Sequence, residues 1–322
     1  MAHCLVTGGA GFIGAHLAAG LLRRGHQVRV LDDYSTGTPT NVRAVQAQLT
    51  AAGLAGALEV VEGSILDQPT LATAMHGIDY VFHKAALPSV PFSLQEPLQS
   101  NRVNVEGTLC VLLAARDAGV KRLIYAGSSS AYGDHPELPK REDHPTHPLS
   151  PYALAKLTGE HYCRLFTELY QLETVTVRYF NVFGARQNPE SQYAAVIPRF
   201  ILACLKGEPL PVYGDGLQSR DFTYVDNVVH GNILAMTAPD VAGQVINVAN
   251  GSRTTLLQLI AYLEAFTHQR VEVQFFDPRP GDVRHSQADV SRAKALLGFE
   301  PLVDVEQGLR RTLAYYIQHL QG

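Results

Sequence analysis

Two reactive side chains stand four residues apart in Ser150-Pro151-Tyr152-Ala153-Leu154-Ala155-Lys156. Proline suits the first turn of a helix, and a spacing of four then puts the Tyr152 phenol and the Lys156 amine on one helix face. A free phenol, with a pKa of about 10, is too weak a base at neutral pH. A neighbouring positive charge favours phenolate and makes Tyr152 a candidate general base. The pair by itself fits a surface tyrosine and a solvated lysine equally well. Ser128, 24 residues before Tyr152, tips the balance. It stands just past a β-branched run ending near Ala126, where a hydroxyl can hydrogen-bond both a substrate alcohol and Tyr152. Ser128, Tyr152 and Lys156 are therefore the candidate catalytic set.

A second constellation lies at the N-terminus, in Thr7-Gly8-Gly9-Ala10-Gly11-Phe12-Ile13-Gly14. Glycines 8, 11 and 14 follow a β-branched run and open a helical pattern. This spacing suits a tight turn, close approach of backbone to a pyrophosphate, and a helix packed closely on its strand. Asp32 stands 18 residues beyond Gly14, at the end of the next strand pattern. An acid there accepts hydrogen bonds from ribose hydroxyls and repels a 2′-phosphate, so NAD is the expected cofactor. Asp32 also fits a plain turn or capping role.

These residues need a scaffold that brings strand ends together. His3–Thr7, Gln27–Asp32, Leu58–Gly63, Tyr80–Lys84, Arg122–Ala126 and Thr174–Arg178 read as strands, and Phe12–Arg24, Pro97–Ala118 and Pro151–Tyr170 as helices. The strand runs are nearly continuous hydrophobics, the pattern of a parallel sheet covered on both faces. The fold expected is α/β, a doubly wound parallel sheet of Rossmann type with a smaller, interleaved C-terminal domain. Beyond Tyr179, glycine and proline become frequent, yet Asp226–Met236 and Val245–Val248 still read as a helix and a strand of the sheet domain. The expected division is a cofactor domain over residues 1–178 with 226–248 returning to it, and a substrate domain over 179–225 and 249–322.

Bulk properties exclude other classes. The formal net charge of −4 gives no basic stripe for nucleic acid. No apolar run reaches the roughly 18–20 residues of a membrane span, and the N-terminus lacks the pattern of a signal peptide. Cys4, Cys110, Cys163 and Cys204 are scattered without ligand spacing, so neither disulfides nor a metal site is expected, and a reducing cytoplasm is. His135, His144 and His147 lie among Pro136, Pro145 and Pro148 and read as a solvated loop.

Taken together, the Ser-Tyr-Lys set and the glycine turn resemble the extended short-chain dehydrogenase/reductase family, and within it the sugar-nucleotide epimerases and dehydratases. The resemblance covers nearly the whole chain. It includes TGGAGFIG at Thr7–Gly14, an HxAA-like motif at His83-Lys84-Ala85-Ala86, and Arg178-Tyr179-Phe180-Asn181-Val182-Phe183-Gly184. It implies cofactor contacts at Gly8, Gly11, Phe12, Ile13, Gly14, Asp32, Ser64, Ile65, Ala85, Tyr152 and Lys156. It implies sugar-nucleotide contacts at Ser129, Asn181, Gln187, Ala195, Val196, Arg220, Arg279, Asp282 and Ser286, the arginines serving the diphosphate. Ser64 replaces an aspartate frequent in the family, and Pro88 stands where the N-acetyl-preferring subgroup tends to have glycine.

The family's dehydratases carry Asp-Glu after the catalytic Ser/Thr, where this chain has Ser129 and Ser130. Without that acid/base pair, elimination has no agent, and reversible oxidation at one carbon remains. The resemblance thus implies an NAD-dependent UDP-hexose 4-epimerase working through a 4-keto sugar. Small residues at Ala195 and Ser286 admit N-acetylhexosamines beside glucose and galactose. Another sugar-nucleotide 4-epimerase (of UDP-glucuronate, for example), a 4-ketoreductase and an inactive NAD-binding regulator are the alternatives. A homodimer is implied through the long helices of Pro97–Ala118 and Tyr152–Tyr170.

Overall fold

The computed structural model describes residues 1–51, 53, 56–189, 195–278 and 283–320. Seven strands form the central sheet: β1 (His3–Thr7), β2 (Gln27–Asp32), β3 (Leu58–Glu62), β4 (Tyr80–His83), β5 (Arg122–Ser128), β6 (Glu173–Tyr179) and β7 (Val245–Val248). All pair in parallel, in the order β7-β6-β5-β4-β1-β2-β3. Both faces are apolar because successive side chains alternate across the sheet. Along β1, Cys4 and Val6 enter one core, whereas Leu5 enters the opposite one with Leu31, Val81 and Leu123. This is the doubly wound α/β fold.

Helix α1 (Phe12–Leu22) follows β1, and α2 (Gly107–Asp117), α3 (Pro151–Tyr170) and α4 (Val225–Thr237) complete the elements nearest the site. Leu17 and Leu21 of α1 and Val228 and Met236 of α4 belong to one core, and Val111 and Leu112 of α2 and Cys163 and Phe166 of α3 to the other. The chain builds β1, β2 and β3 outward in one direction, then returns to lay β4 on the other side of β1. That reversal opens a crevice beyond the strand ends, where ligands of such sheets bind.

The expected strands are found within one or two residues of their ends, with one informative difference. β5 continues past Ala126 to Ser128, which pairs with Tyr179 of β6. Ser128 is thus the last rung of the sheet rather than a loop residue. The single helix expected over Pro97–Ala118 is instead Pro97–Asn101, a π-helical turn at Arg102–Glu106, and α2. The buried Asn104 explains the widened turn. Its Oδ1 accepts from the Leu87 N–H (2.8 Å) and its Nδ2 donates to the Leu87 carbonyl (3.2 Å), which draws this face toward the loop after β4.

A further apolar core lies outside the sheet. It gathers Phe183, Ile197, Phe200, Leu210, Val212, Leu259 and Leu309. Three small pairings frame it: Val182–Phe183 with Thr223–Tyr224, Ser219–Arg220 with Thr254–Thr255, and Leu210–Tyr213 with Val273–Phe276. Phe12 packs on this core while its neighbour Ile13 packs on the sheet, so the first turn of α1 touches both.

A buried ion pair ties α3 to β6. Arg178 Nε donates to Glu160 Oε2 at 2.9 Å, and the guanidinium lies 4.6 Å from the Tyr132 ring centroid. Arg178 Nη1 has no partner among the described residues, so Glu160 carries most of the compensation. Glu160→Gln is expected to lower the unfolding free energy by about 3 kcal/mol, because it strands a buried guanidinium. Urea denaturation checks this, and a loss below about 1 kcal/mol would show that the pair is not what holds the helix to the strand.

Candidate active site

The glycine turn is a steric necessity at two positions. Gly8 has a φ of +68°, and a Cβ there would lie 2.6 Å from the Ala85 amide nitrogen. A Cβ on Gly14 would lie 2.1 Å from the Gly8 carbonyl oxygen. The helix that follows starts at Gly11 without a side-chain cap and with no acidic residue in its first turn. Its free N–H groups and positive dipole end are therefore left for an anion. Asp32 ends β2 beside them. Its Oδ2 accepts from the Ala10 N–H and its Oδ1 from the Tyr34 N–H, each at 2.8 Å. Each carboxylate oxygen keeps acceptor capacity for a ribose hydroxyl. Burial pushes the Asp32 carboxyl above its ordinary value, and the two amides pull it back. The turn, the uncapped helix and the acid fit a dinucleotide.

The remaining expected cofactor positions line the same edge. Ser64 follows β3 and accepts from the Leu66 N–H at 3.3 Å. Ile65 is buried against Gly107. Ala85, after β4, donates its N–H to Thr7 Oγ1 at 3.3 Å. His83 bridges Thr7 Oγ1 (2.7 Å) and Thr108 Oγ1 (3.0 Å), and burial holds it well below the usual imidazole range. It is a neutral strut that pins β4 to β1.

Ser128, Tyr152 and Lys156 come together at the end of β5. Ser150 caps α3 by accepting from the Ala153 N–H, with Pro151 in the first turn. The Tyr152 N–H donates to Ser93 Oγ at 3.1 Å. Burial raises the Tyr152 phenol, and a hydrogen bond with the Ser128 hydroxyl opposes the rise. Ser128 Oγ also accepts from the Ser130 hydroxyl (2.8 Å) and the Ser130 N–H (3.2 Å). Lys156 is buried, donates to the Ala126 carbonyl at 3.1 Å and lies 5.1 Å from the Tyr125 ring centroid. Burial lowers its pKa to about 8.

Lys84 has no assigned role in the sequence reading. Its Nζ donates to the Ile124 carbonyl (3.2 Å) and to the Tyr179 hydroxyl (2.9 Å). Burial, then the charge of Lys156, lower its pKa well below the ordinary lysine value. Two lysine amines thus sit on alternate carbonyls of β5, beneath the end of the strand that carries Ser128. The signal available in the sequence was a lysine closing an otherwise apolar strand.

A cavity of about 260 Å³ opens beside Asn181, lined by Ala195, Val196, Phe200, Tyr213 and Arg220. Asn181 follows β6, the neighbour of β5, so this cavity begins two residues past the rung that pairs with Ser128. Ser286 lies alongside, its N–H donating to the Ser219 carbonyl at 3.0 Å. Ser129 opens the short 3-10 turn after β5. Gln187 Nε2 donates to the carbonyl of Val182, a residue of the cavity wall, and the Gln187 backbone carbonyl accepts from the Tyr316 hydroxyl. Arg279 and Asp282 lie outside the described residues.

The sequence reading also missed Asp221. Buried next to Arg220, it accepts N–H bonds from Asn250, Gly251 and Ala288, each at 3.0 Å. Two distant segments, at Asn250–Gly251 and at Ala288, are thus gathered on the carboxylate next to Arg220.

Residues 4–249 match the model of the NAD dependent epimerase/dehydratase family. The chain belongs to that family. This is the grouping to which Thr7–Gly14 and Arg178–Gly184 pointed, and NAD is its cofactor. The UDP-glucose 4-epimerase of Mycolicibacterium smegmatis is 36% identical over 97% of both chains. The chain is also similar to the solved UDP-N-acetylglucosamine 4-epimerase of Methanobrevibacter ruminantium, a complex with UDP-N-acetylmuramic acid (38% identity, 99% of each chain, TM-score 0.92). A UDP-glucuronic acid 4-epimerase from Bacillus cereus, solved with UDP-glucuronic acid and NAD, is 32% identical over 98% of this chain and 99% of that one, with a TM-score of 0.89. Among the described residues, no helix is long and apolar enough to cross a membrane.

Burial raises the Asp221 carboxyl to about 7, against an ordinary 3.8, while its three N–H partners favour ionisation. A pKa higher in the folded than in the unfolded chain means that the folded state binds more protons. Stability should therefore fall as pH rises from about 4 through about 7 and level off above. Asp221→Asn, which cannot ionise, should lose this slope and be less stable at pH 5 by about 1–3 kcal/mol, because its amide opposes backbone donors. Urea midpoints of both proteins at pH 5 and pH 8 test this.

Proposed function

We propose that this protein is a UDP-hexose 4-epimerase. The observation that carries the reading is the grouping of Ser128, Tyr152 and Lys156 at a strand end next to the 260 Å³ cavity, with Ser129 and Ser130 where elimination would need carboxyls. The glycine turn and Asp32 would hold NAD, which would supply a reversible hydride acceptor for the sugar C4. Tyr152 removes the proton of the 4-hydroxyl and later gives it back, with Ser128 orienting both hydroxyls. Lys156, four residues along the same helix, supplies positive potential that favours the phenolate. Asn181 and Arg220 hold the diphosphate, so the 4-keto sugar can turn over and present its other face while its nucleotide stays anchored. Ala195 and Val196 line the cavity with small or apolar groups, which supports N-acetylhexosamines as substrates beside glucose and galactose. The proposed division assigns residues 1–178 and 226–248 to the cofactor, and 179–225 and 249–322 to the sugar nucleotide.

We also propose a homodimer. Leu154, Leu165 and Leu169 form one stripe along α3, and Leu98 extends it from the adjoining helix. Leu98 is 86% exposed, Leu169 66% and Leu154 55%, an apolar face that calls for a partner. A second copy of this face completes a four-helix bundle. Leu154→Glu with Leu169→Glu is expected to shift the protein from dimer to monomer in light scattering, whereas a wild-type monomer would overturn the assembly.

The activity test uses purified protein with no added cofactor, incubated separately with UDP-glucose, UDP-N-acetylglucosamine and UDP-glucuronate, and chromatography of the epimers. Conversion of the first two is expected. Conversion of UDP-glucuronate alone would move the assignment to that substrate, and a requirement for fresh reductant would indicate a ketoreductase. Tyr152→Phe should lower kcat by about 10²–10⁴-fold, the usual contribution of a general acid–base. Unchanged turnover in that variant would overturn the mechanism.

A further inference from the structure

The segment of residues 133–149 links the strand carrying Ser128 to the helix carrying Tyr152. Its middle is well anchored. The Lys140 N–H donates to the Gln287 carbonyl at 2.7 Å, and the Asp289 N–H donates to the Lys140 carbonyl at 2.9 Å. Glu142 Oε1 accepts from the Asn247 N–H at 2.8 Å, and the His147 N–H donates to the Ala131 carbonyl at 2.9 Å. These bonds fold the segment back on itself and bring His135 and His144 together, with ring centroids 5.0 Å apart and planes at 29°.

The three histidines of this segment therefore do not share one environment, contrary to the solvated loop expected from the sequence. The His147 side chain is 70% exposed and faces Asp134. The His144 side chain is 9% exposed and faces Glu137, with Nε2 3.7 Å from Oε1, too far for a hydrogen bond. His135 Nδ1 is buried and has no hydrogen-bond partner among the described residues. One ligand atom from each of His135, Glu137 and His144 lies within 4.8 Å of the other two.

We propose that His135, Glu137 and His144 bind a divalent transition-metal ion of the zinc class. Two imidazoles and one carboxylate make a borderline donor set, which suits zinc and leaves a fourth position for water. Hard ions such as magnesium prefer all-oxygen sites and are disfavoured. Metal–ligand bonds of about 2.1 Å place tetrahedral ligands about 3.4 Å apart. The exposed Glu137 closes the remaining gap by side-chain rotation. Two local features oppose binding. The Lys140 ammonium donates to the His135 carbonyl, and the Arg141 N–H makes a long 3.4 Å contact to His144 Nδ1 that the bound tautomer gives up. The ion cross-links the two arms of the segment and clips the connection between Ser128 and Tyr152. Its role is structural, and it takes no part in the hydride chemistry.

The test uses untagged full-length protein, stripped with a chelator and dialysed, then titrated with zinc chloride by calorimetry and by competition with a chromophoric chelator. One saturable equivalent is expected, accompanied by a rise in Tm; magnesium chloride should give neither. His135→Ala with His144→Ala should abolish that equivalent and the shift. Glu137→Gln, a change at an exposed position that leaves folding intact, should weaken binding at least tenfold. No saturable equivalent in the wild type, or one that persists unchanged in these variants, overturns the proposal.

Discussion

A sheet whose strands all run in parallel ends every strand at the same edge, and everything functional in this protein follows from that constraint. β1 delivers the glycine turn there, β2 delivers Asp32, β5 delivers Ser128, and β6 leads into Asn181. Groups far apart in the chain become neighbours because parallel strands need long crossovers, which return each new strand to the same starting side. The crossover helices contribute as well. α3 starts at this edge, so its first turns carry Tyr152 and Lys156 to the strand end that holds Ser128.

The same edge is where the fold tolerates buried charge. Lys84 and Lys156 rest on carbonyls of β5, Arg178 pairs with Glu160, and Asp221 draws in three backbone amides. Desolvation opposes each charge, and backbone dipoles or one opposite charge answer it. The lysines lie under the strand end that carries Ser128, and the Asp221 carboxylate is buried next to Arg220 of the cavity wall. An apolar core would be easier to build there, but it would leave no common anchor for the segments that Asp221 holds together.

Much of this was legible in one dimension. The strands are runs of β-branched and apolar residues between turn residues, and they were found nearly to their ends because burial on both faces demands continuous hydrophobicity. The helix over Pro97–Ala118 was legible as a helix but not as a broken one. Its π-helical turn answers to Asn104 gripping the loop after β4, a contact between segments 17 residues apart. Lys84 and Asp221 escaped notice for a similar reason. A charged residue in a sequence reads as exposed until its surroundings are known.

The sequence by itself determined the class of fold, the family and the chemical types at the site, because glycine spacing, hydrophobic period and the Tyr-x-x-x-Lys pair are local statements about backbone sterics and helix geometry. Only the tertiary structure decided that Ser128 is the last rung of its strand, that Lys156 rests on the Ala126 carbonyl, that Asp221 gathers three backbone amides, and that His135 and His144 stack while His147 stays in solvent. Each of these depends on which distant segment arrives next to a residue. That is set by the closing of long loops and the packing of whole elements, which no local pattern encodes.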